Sequence, residues 1–216
     1  MTKHEKVNIL LADDHLLVRK GLIKILEESY INALYGEASN SSQTMDLLRE
    51  KEWDILILDL SMPGRSGFEI IKEIKDLYPK MPILVLSMYS VEQVAVRVIK
   101  AGVDGYLTKD SAVYELENAV KTILSGKKYI DVSVAGLLAA ELSKNSVSDN
   151  LHDILSDREF HVFLMIASGK KLTEIAQELS LSVKTISTYR TNILQKLNFN
   201  TNSDLTSYAI QQKLLF

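Results

Sequence analysis

The chain has 216 residues, 46% of them hydrophobic and 25% charged, with a formal net charge of -3 at pH 7 and no cysteine. That balance fits a globular protein of one or two domains and excludes disulfides and thiolate metal sites. No apolar run approaches the roughly 18 residues of a membrane span and no signal-peptide core precedes the first strand, so the expected location is cytoplasmic, with no membrane partner.

Residues 7–126 alternate apolar runs with amphipathic stretches, the pattern of βαβ units and a parallel sheet. Strands are expected at 7–12, 33–38, Ile55–Asp59, Ile83–Ser87 and Gly105–Thr108. Helices are expected near 15–29, 41–51, 66–77, 91–101 and 112–125, with Gly102 and Gly126 as stop signals. Five strands and five helices make a doubly wound α/β domain over residues 1–126. Its right-handed crossovers bring the ligand-binding strand ends to one side.

Those ends carry the chemistry. The first strand runs into Asp13 and Asp14, and the run Asp54-Ile-Leu-Ile-Leu-Asp59 ends on an acid and a turn, Leu60-Ser-Met-Pro-Gly64. Three carboxylates in one crevice ask for a cation, and Mg²⁺ takes one or two carboxylates with waters and a phosphate oxygen. Asp13 or Asp14 is also placed to cap the next helix. Ser87 closes the fourth strand and Lys109 follows the fifth. A phosphoryl group on an Asp carboxylate would use a cation, a hydroxyl and an ammonium, and the crevice offers all three. Singly, each residue reads as a solvated loop group; their convergence is what points to a site. His4, His15, His152 and His161 lack metal-site spacing and read as surface or packing residues.

Residues 127–150 read as a linker with a short helix at 133–142 and a polar stretch after it. From 151 to 216 only helical patterns remain. Residues 172–179 place apolar groups at 172, 175, 176 and 179, Ser180-Leu-Ser182 is a turn, and Val183–Leu197 is a second helix with Ile186, Ile193, Leu194 and Leu197 inward. This is a helix-turn-helix layout. Lys184, Thr185, Ser187, Thr188, Arg190, Thr191 and Lys196 are left outside, with no acid in the segment, so a local charge of +3 stands against +1 for 151–216 and -4 for 1–150. Tyr189 reads better as a buried spacer than as a contact.

The order Asp13-Asp14, Asp59, Ser87, Lys109 resembles the receiver domain of bacterial two-component response regulators, as do Asp59-Leu-Ser-Met-Pro-Gly-Arg-Ser-Gly67 and Ala101-Gly-Val-Asp-Gly-Tyr-Leu-Thr-Lys109. Leu155-Ser-Asp-Arg-Glu159 and Lys196-Leu-Asn198, flanking the helix-turn-helix, resemble the four-helix DNA-binding domain of the LuxR type; the whole is similar to the NarL/FixJ class. The resemblance implies a flavodoxin-like (CheY-like) five-stranded parallel sheet followed by a small all-α domain. It implies that Asp59 accepts a phosphoryl group from a sensor histidine kinase, with Mg²⁺ held by Asp13, Asp14, Asp59 and the carbonyl of Ser61. Lys109 would pair with the phosphate, and Ser87 and Tyr106 would shift on activation. The helix Val183–Leu197 would enter the major groove of promoter DNA, Ser187, Thr188 and Thr191 facing bases and Lys184, Arg190 and Lys196 facing phosphates. A homodimer on phosphorylation follows from paired half-sites. One departure is Asp110, where the family often has Pro and a cis bond; a non-proline cis bond costs roughly 2.5–4 kcal/mol, which leaves that loop's conformation open.

Two rivals stand beside this reading. A Mg²⁺-dependent phosphatase with an aspartyl nucleophile would want an acid two residues beyond it, where Ser61 stands, so no enzyme is expected. A phosphorylation-independent DNA-binding regulator would keep the acidic site as structure only.

Overall fold

The apolar runs become strands buried on both faces. In the computed structural model, which describes residues 7–63, 65–89, 91–130, 134–136, 139, 150–212 and 214–215, and only the backbone of 91–93, five strands form one parallel sheet. They are β1 (Asn8–Ala12), β2 (Leu34–Ala38), β3 (Ile55–Asp59), β4 (Ile83–Ser87) and β5 (Gly105–Thr108), in the order β2-β1-β3-β4-β5. Every residue of β3 and β4 is buried, which is why those segments are continuously apolar rather than alternating. Helices α1 (Leu16–Ser29), α2 (Ser41–Glu50), α3 (Gly67–Leu77), α4 (Val91–Lys100) and α5 (Lys109–Leu124) link and follow the strands. One core cluster joins Ile9, Leu11, Ile57, Leu84 and Leu107 of the sheet to Leu26 of α1 and Leu116 and Val120 of α5.

Three local features depart from the sequence reading. Helix α5 begins at Lys109, not near 112, because the Thr108 side chain accepts from the Ser111 amide and starts the helix on the residue after the strand. The cap position of α1 is His15, without a side-chain cap bond; Asp13 Oδ1 instead accepts the His15 amide at 2.8 Å. Residues 127–130 do not leave the sheet domain: the Tyr129 amide donates to the Asp104 carbonyl at 2.8 Å, and Tyr129 bridges to Gly105. No cis peptide bond occurs among the described residues. Of the helix expected at 133–142, only residues 134–136 and 139 are described, as helix; the remainder, and the polar stretch after it up to 149, lie outside the described residues.

The chain divides into two compact units, Met1–Asp131 and Val132–Phe216. In the second, a 3-10 turn (Leu151–Ile154) precedes α6 (Asp157–Ala167), α7 (Leu172–Glu178), α8 (Val183–Leu197) and α9 (Asn202–Gln211). Helix α6 is buried from Arg158 to Ala167 and forms the centre of this unit. Its Phe160 and Phe163 form an aromatic cluster with Tyr208 and Phe199, neighbouring ring centroids 5.4–6.2 Å apart, and the Tyr208 hydroxyl lies 2.9 Å from His152 Nδ1. The turn between α7 and α8 is tight: Ser180 adopts φ 53°, and the Leu181 amide donates to the Ala176 carbonyl at 2.8 Å.

Candidate functional site

Sheet register builds the first site. Ala12 pairs with Leu58, so Asp13 follows beside Asp59, while Asp59 pairs with Leu86 and Ser87 with Thr108. Four neighbouring strands thus end at one edge with Asp13, Asp59, Ser87 and Lys109. The loop behind Asp59 is held closely: the Gly67 amide donates to the Leu60 carbonyl, and a Cβ on Gly67 would come within 2.5 Å of the Leu60 Cα.

Asp59 and Asp13 are only 1% and 2% exposed. The Lys109 ammonium joins them, 2.6 Å from Asp13 Oδ2 and 2.8 Å from Asp59 Oδ2. Burial pushes the Asp59 carboxyl above its ordinary value and Asp13 adds to this, against the pull of Lys109 and the Ser61 amide. Burial also disfavours the Lys109 ammonium, yet Asp59 and Asp13 hold its pKa above the usual value. One ammonium therefore serves two buried carboxylates, and the site favours further positive charge.

Asp14 and an unexpected residue complete the cluster. The ligand atoms of Asp13, Asp14, His15 and Asp59 lie within 4.8 Å of one another. Asp13 Oδ2 and Asp14 Oδ1 are buried without a hydrogen bond, the first 2.6 Å from the Lys109 ammonium and the second 2.8 Å from the His15 imidazole. Hard, under-satisfied carboxylate oxygens at this spacing fit Mg²⁺. Ser61 sits half-buried on the turn, its amide donating to Asp59 Oδ1 at 3.0 Å. Sequence reasoning missed His15, and also Arg19. The buried Arg19 guanidinium donates to the Asp13 carbonyl at 2.6 Å and to Glu37 at 3.1 Å, fixing the acidic loop from behind. Lys20 bonds the same Glu37, and together with Arg19 it holds that carboxylate below the usual range against burial.

Ser87 and Tyr106 meet at one backbone segment. Ser87 Oγ accepts the Tyr89 amide at 3.1 Å, and the buried Tyr106 hydroxyl donates to the Tyr89 carbonyl at 2.5 Å. A hydroxyl at the sheet edge and a core aromatic are thus coupled through one residue of the loop that follows β4.

The second site is the outer surface of α8. Ser182 caps it by accepting from the Thr185 amide at 3.0 Å, and Ile186, Ile193, Leu194 and Leu197 are buried as expected. Lys184, Ser187, Thr188 and Thr191 are exposed, and Thr185, Tyr189 and Arg190 are half-buried. Thr188 and Thr191 donate to the Lys184 and Ser187 carbonyls one turn back, so each presents its methyl and an accepting oxygen. Arg190 bonds Asn202 at the start of α9. Lys196 is different in kind, since its ammonium lies 2.7 Å from Glu159, a buried residue of α6. Glu159 also accepts the Ser156 amide in a capping box; burial raises its pKa, but Lys196 and Ser156 outweigh that and hold it below the usual range. Lys196 is thereby tied to α6 by an ion pair while its side chain stays 42% exposed.

Comparison with known proteins agrees across both units. The family described as "Response regulator receiver domain" matches residues 9–121, and "Bacterial regulatory proteins, luxR family" matches residues 153–209. The chain is 34% identical over 208 residues to the response regulator UvrY of Escherichia coli K12, covering 96% of this chain and 95% of that protein. It is 35% identical over 215 residues to the oxygen regulatory protein NreC of Staphylococcus carnosus, covering 97% and 99%. Among solved structures it resembles RcsB of Salmonella enterica serovar Typhimurium bound to the promoter P1flhDC with the phosphomimetic BeF3-. That match has a TM-score of 0.65 and 31% identity, covering 94% of this chain and 98% of that one.

Proposed function

The chain belongs to the response regulators that join a receiver domain to a LuxR-type DNA-binding domain, and from that membership we propose that Asp59 is its phosphoacceptor. The family consists of DNA-binding regulators of two-component systems, not enzymes, and its partners are a histidine kinase and promoter DNA. The observation that carries the assignment is the Lys109 ammonium shared between buried Asp13 and Asp59 at the carboxyl edge of the sheet.

The reaction transfers a phosphoryl group. An Asp59 oxygen attacks phosphorus, a P–O bond forms, and the P–N bond to the kinase histidine breaks, returning the electron pair to the imidazole. Asp13, Asp14, Asp59 and the Ser61 carbonyl would hold Mg²⁺, whose chemistry is to neutralise charge on the phosphoryl oxygens. Lys109, already ion-paired to Asp59, swings to a phosphate oxygen. Ser87 hydrogen-bonds another and releases the Tyr89 amide, which shifts the segment Tyr106 also holds. A local charge change thereby biases a two-state element. The organisation is a receiver over 1–126 with residues 127–130 still bonded to its sheet, a linker over the rest of 127–150 and a DNA-binding domain over 151–216, acting in the cytoplasm and dimerising on phosphorylation. On α8, Ser187, Thr188 and Thr191 face bases, with Thr185 beside them, while Lys184 and Arg190 contact phosphates.

Treatment with acetyl phosphate and Mg²⁺ tests the assignment by intact mass. The chain gains one phosphoryl group and Asp59→Asn gains none; equal labelling of both would overturn it.

A further inference from the structure

We infer that the imidazole of His15 is a direct ligand of the divalent ion held by Asp13 and Asp14, giving this site a preference for first-row transition dications over magnesium. The inference rests on the proposed cation site and adds to it a nitrogen donor.

The geometry supplies two edges of a coordination face, both at the imidazole nitrogen. His15 Nδ1 lies 2.8 Å from Asp14 Oδ1 and 3.3 Å from Asp13 Oδ1. Ligands at about 2.1 Å from an octahedral ion stand about 3 Å apart when adjacent, and the two observed separations bracket that edge. The face is held in place, since the His15 amide donates to Asp13 Oδ1 and Arg19 grips the Asp13 carbonyl. It is also distinct from the face used by Lys109, which meets Oδ2 of Asp13 and Oδ2 of Asp59. A cation on the Oδ1 side therefore leaves the lysine contacts standing. Asp14 Oδ1, buried and without a hydrogen bond, faces the same point.

Donor chemistry then sets the preference. Magnesium selects oxygen and retains water, so it gains little from an imidazole. Affinity for nitrogen rises along the first-row dications from manganese towards copper, so cobalt(II) gains more.

Calorimetric titration of the full-length chain with Co²⁺ and with Mg²⁺ tests this against His15→Asn, which keeps a polar side chain at the start of α1. Cobalt affinity falls at least about tenfold in the variant, no less than loss of an outer-shell partner costs, while magnesium affinity changes by less than about threefold because its oxygen ligands remain. The wild-type cobalt form also shows a paramagnetically shifted, exchangeable imidazole proton in its NMR spectrum, absent from His15→Asn. Equal changes for the two ions, or a shifted proton that survives in the variant, would overturn the inference. Asp14→Asn separates this from the reading beneath it. If that variant weakens both ions while His15→Asn weakens neither, only the role of His15 fails; if it weakens neither, the carboxylate site itself fails.

Discussion

Replacing Lys196 with Met keeps most of the aliphatic stem and removes the charge that faces Glu159. The two groups are 2.7 Å apart, with side chains 42% and 6% exposed respectively. Coulomb attraction at that distance is about 6 kcal/mol at an effective dielectric of ~20 and about 1.5 kcal/mol in water. Desolvation and lysine entropy offset much of it, so the net effect falls between that of exposed and buried pairs, about 1–3 kcal/mol. In a domain of this size that lowers the unfolding midpoint by about 10 °C. The single tryptophan, Trp53, lies in the receiver, so unfolding of the second unit is followed by far-UV circular dichroism of the full chain. Binding to a random-sequence duplex is then measured at several salt concentrations, below the unfolding transition. Lys196→Met leaves the slope of log affinity against log salt unchanged, whereas Lys184→Met, on the exposed surface, reduces it by about 0.9. A slope reduced by Lys196→Met with no loss of stability would refute the structural role and restore Lys196 as a phosphate contact.

Other variants probe separate links. Asp59→Asn raises receiver stability at pH 7 by about 1 kcal/mol, read by urea unfolding with Trp53 fluorescence. The Asp59 pKa is raised on folding, so its contribution is present below the unfolded value near 3.8 and lost as pH climbs through the folded value. The gain from Asn thus vanishes in acid, and a gain independent of pH would contradict the cause assigned. His161 is buried, and desolvation with nearby Arg158 and Lys170 lowers its pKa from 6.5 to about 4. Its contribution is present above pH 6.5 and lost as pH falls towards 4, about 3 kcal/mol in all; His161→Leu removes that slope from unfolding of the second unit, and an unaltered slope would count against it. Ser180→Gly relieves a left-handed backbone and stabilises the helix-turn-helix by about 1 kcal/mol, read as a raised urea midpoint.

The strands were legible because β3 and β4 are buried on both faces, so apolar runs alone mark them, and an acid ending such a run can only emerge at the sheet edge. The register that sets Asp13 beside Asp59 follows from the parallel order, and the convergence of Ser87 and Lys109 with it. What escaped lies where a contact depends on distant chain or on capping. The start of α5 is set by Thr108 and Ser111, polar groups ahead of the apolar period that begins at Ala112. His15 has no second histidine at metal spacing, and its significance comes from the adjacent acids. Lys196 looked like one more cation on α8 because Glu159 stands 37 residues earlier in sequence. The Ser156–Glu159 capping box was readable as a helix start, but not as the anchor of a lysine two helices later.

The central claim is that charge at Asp59 governs what α8 does on DNA. Genome-wide occupancy of the wild-type chain and of Asp59→Asn, expressed at equal levels under kinase-activating conditions, tests it most directly. The account predicts that sites occupied by the wild type are lost or markedly weakened in the variant. Identical sites at identical occupancy would contradict it and leave the acidic crevice a structural feature of a regulator that works without phosphorylation.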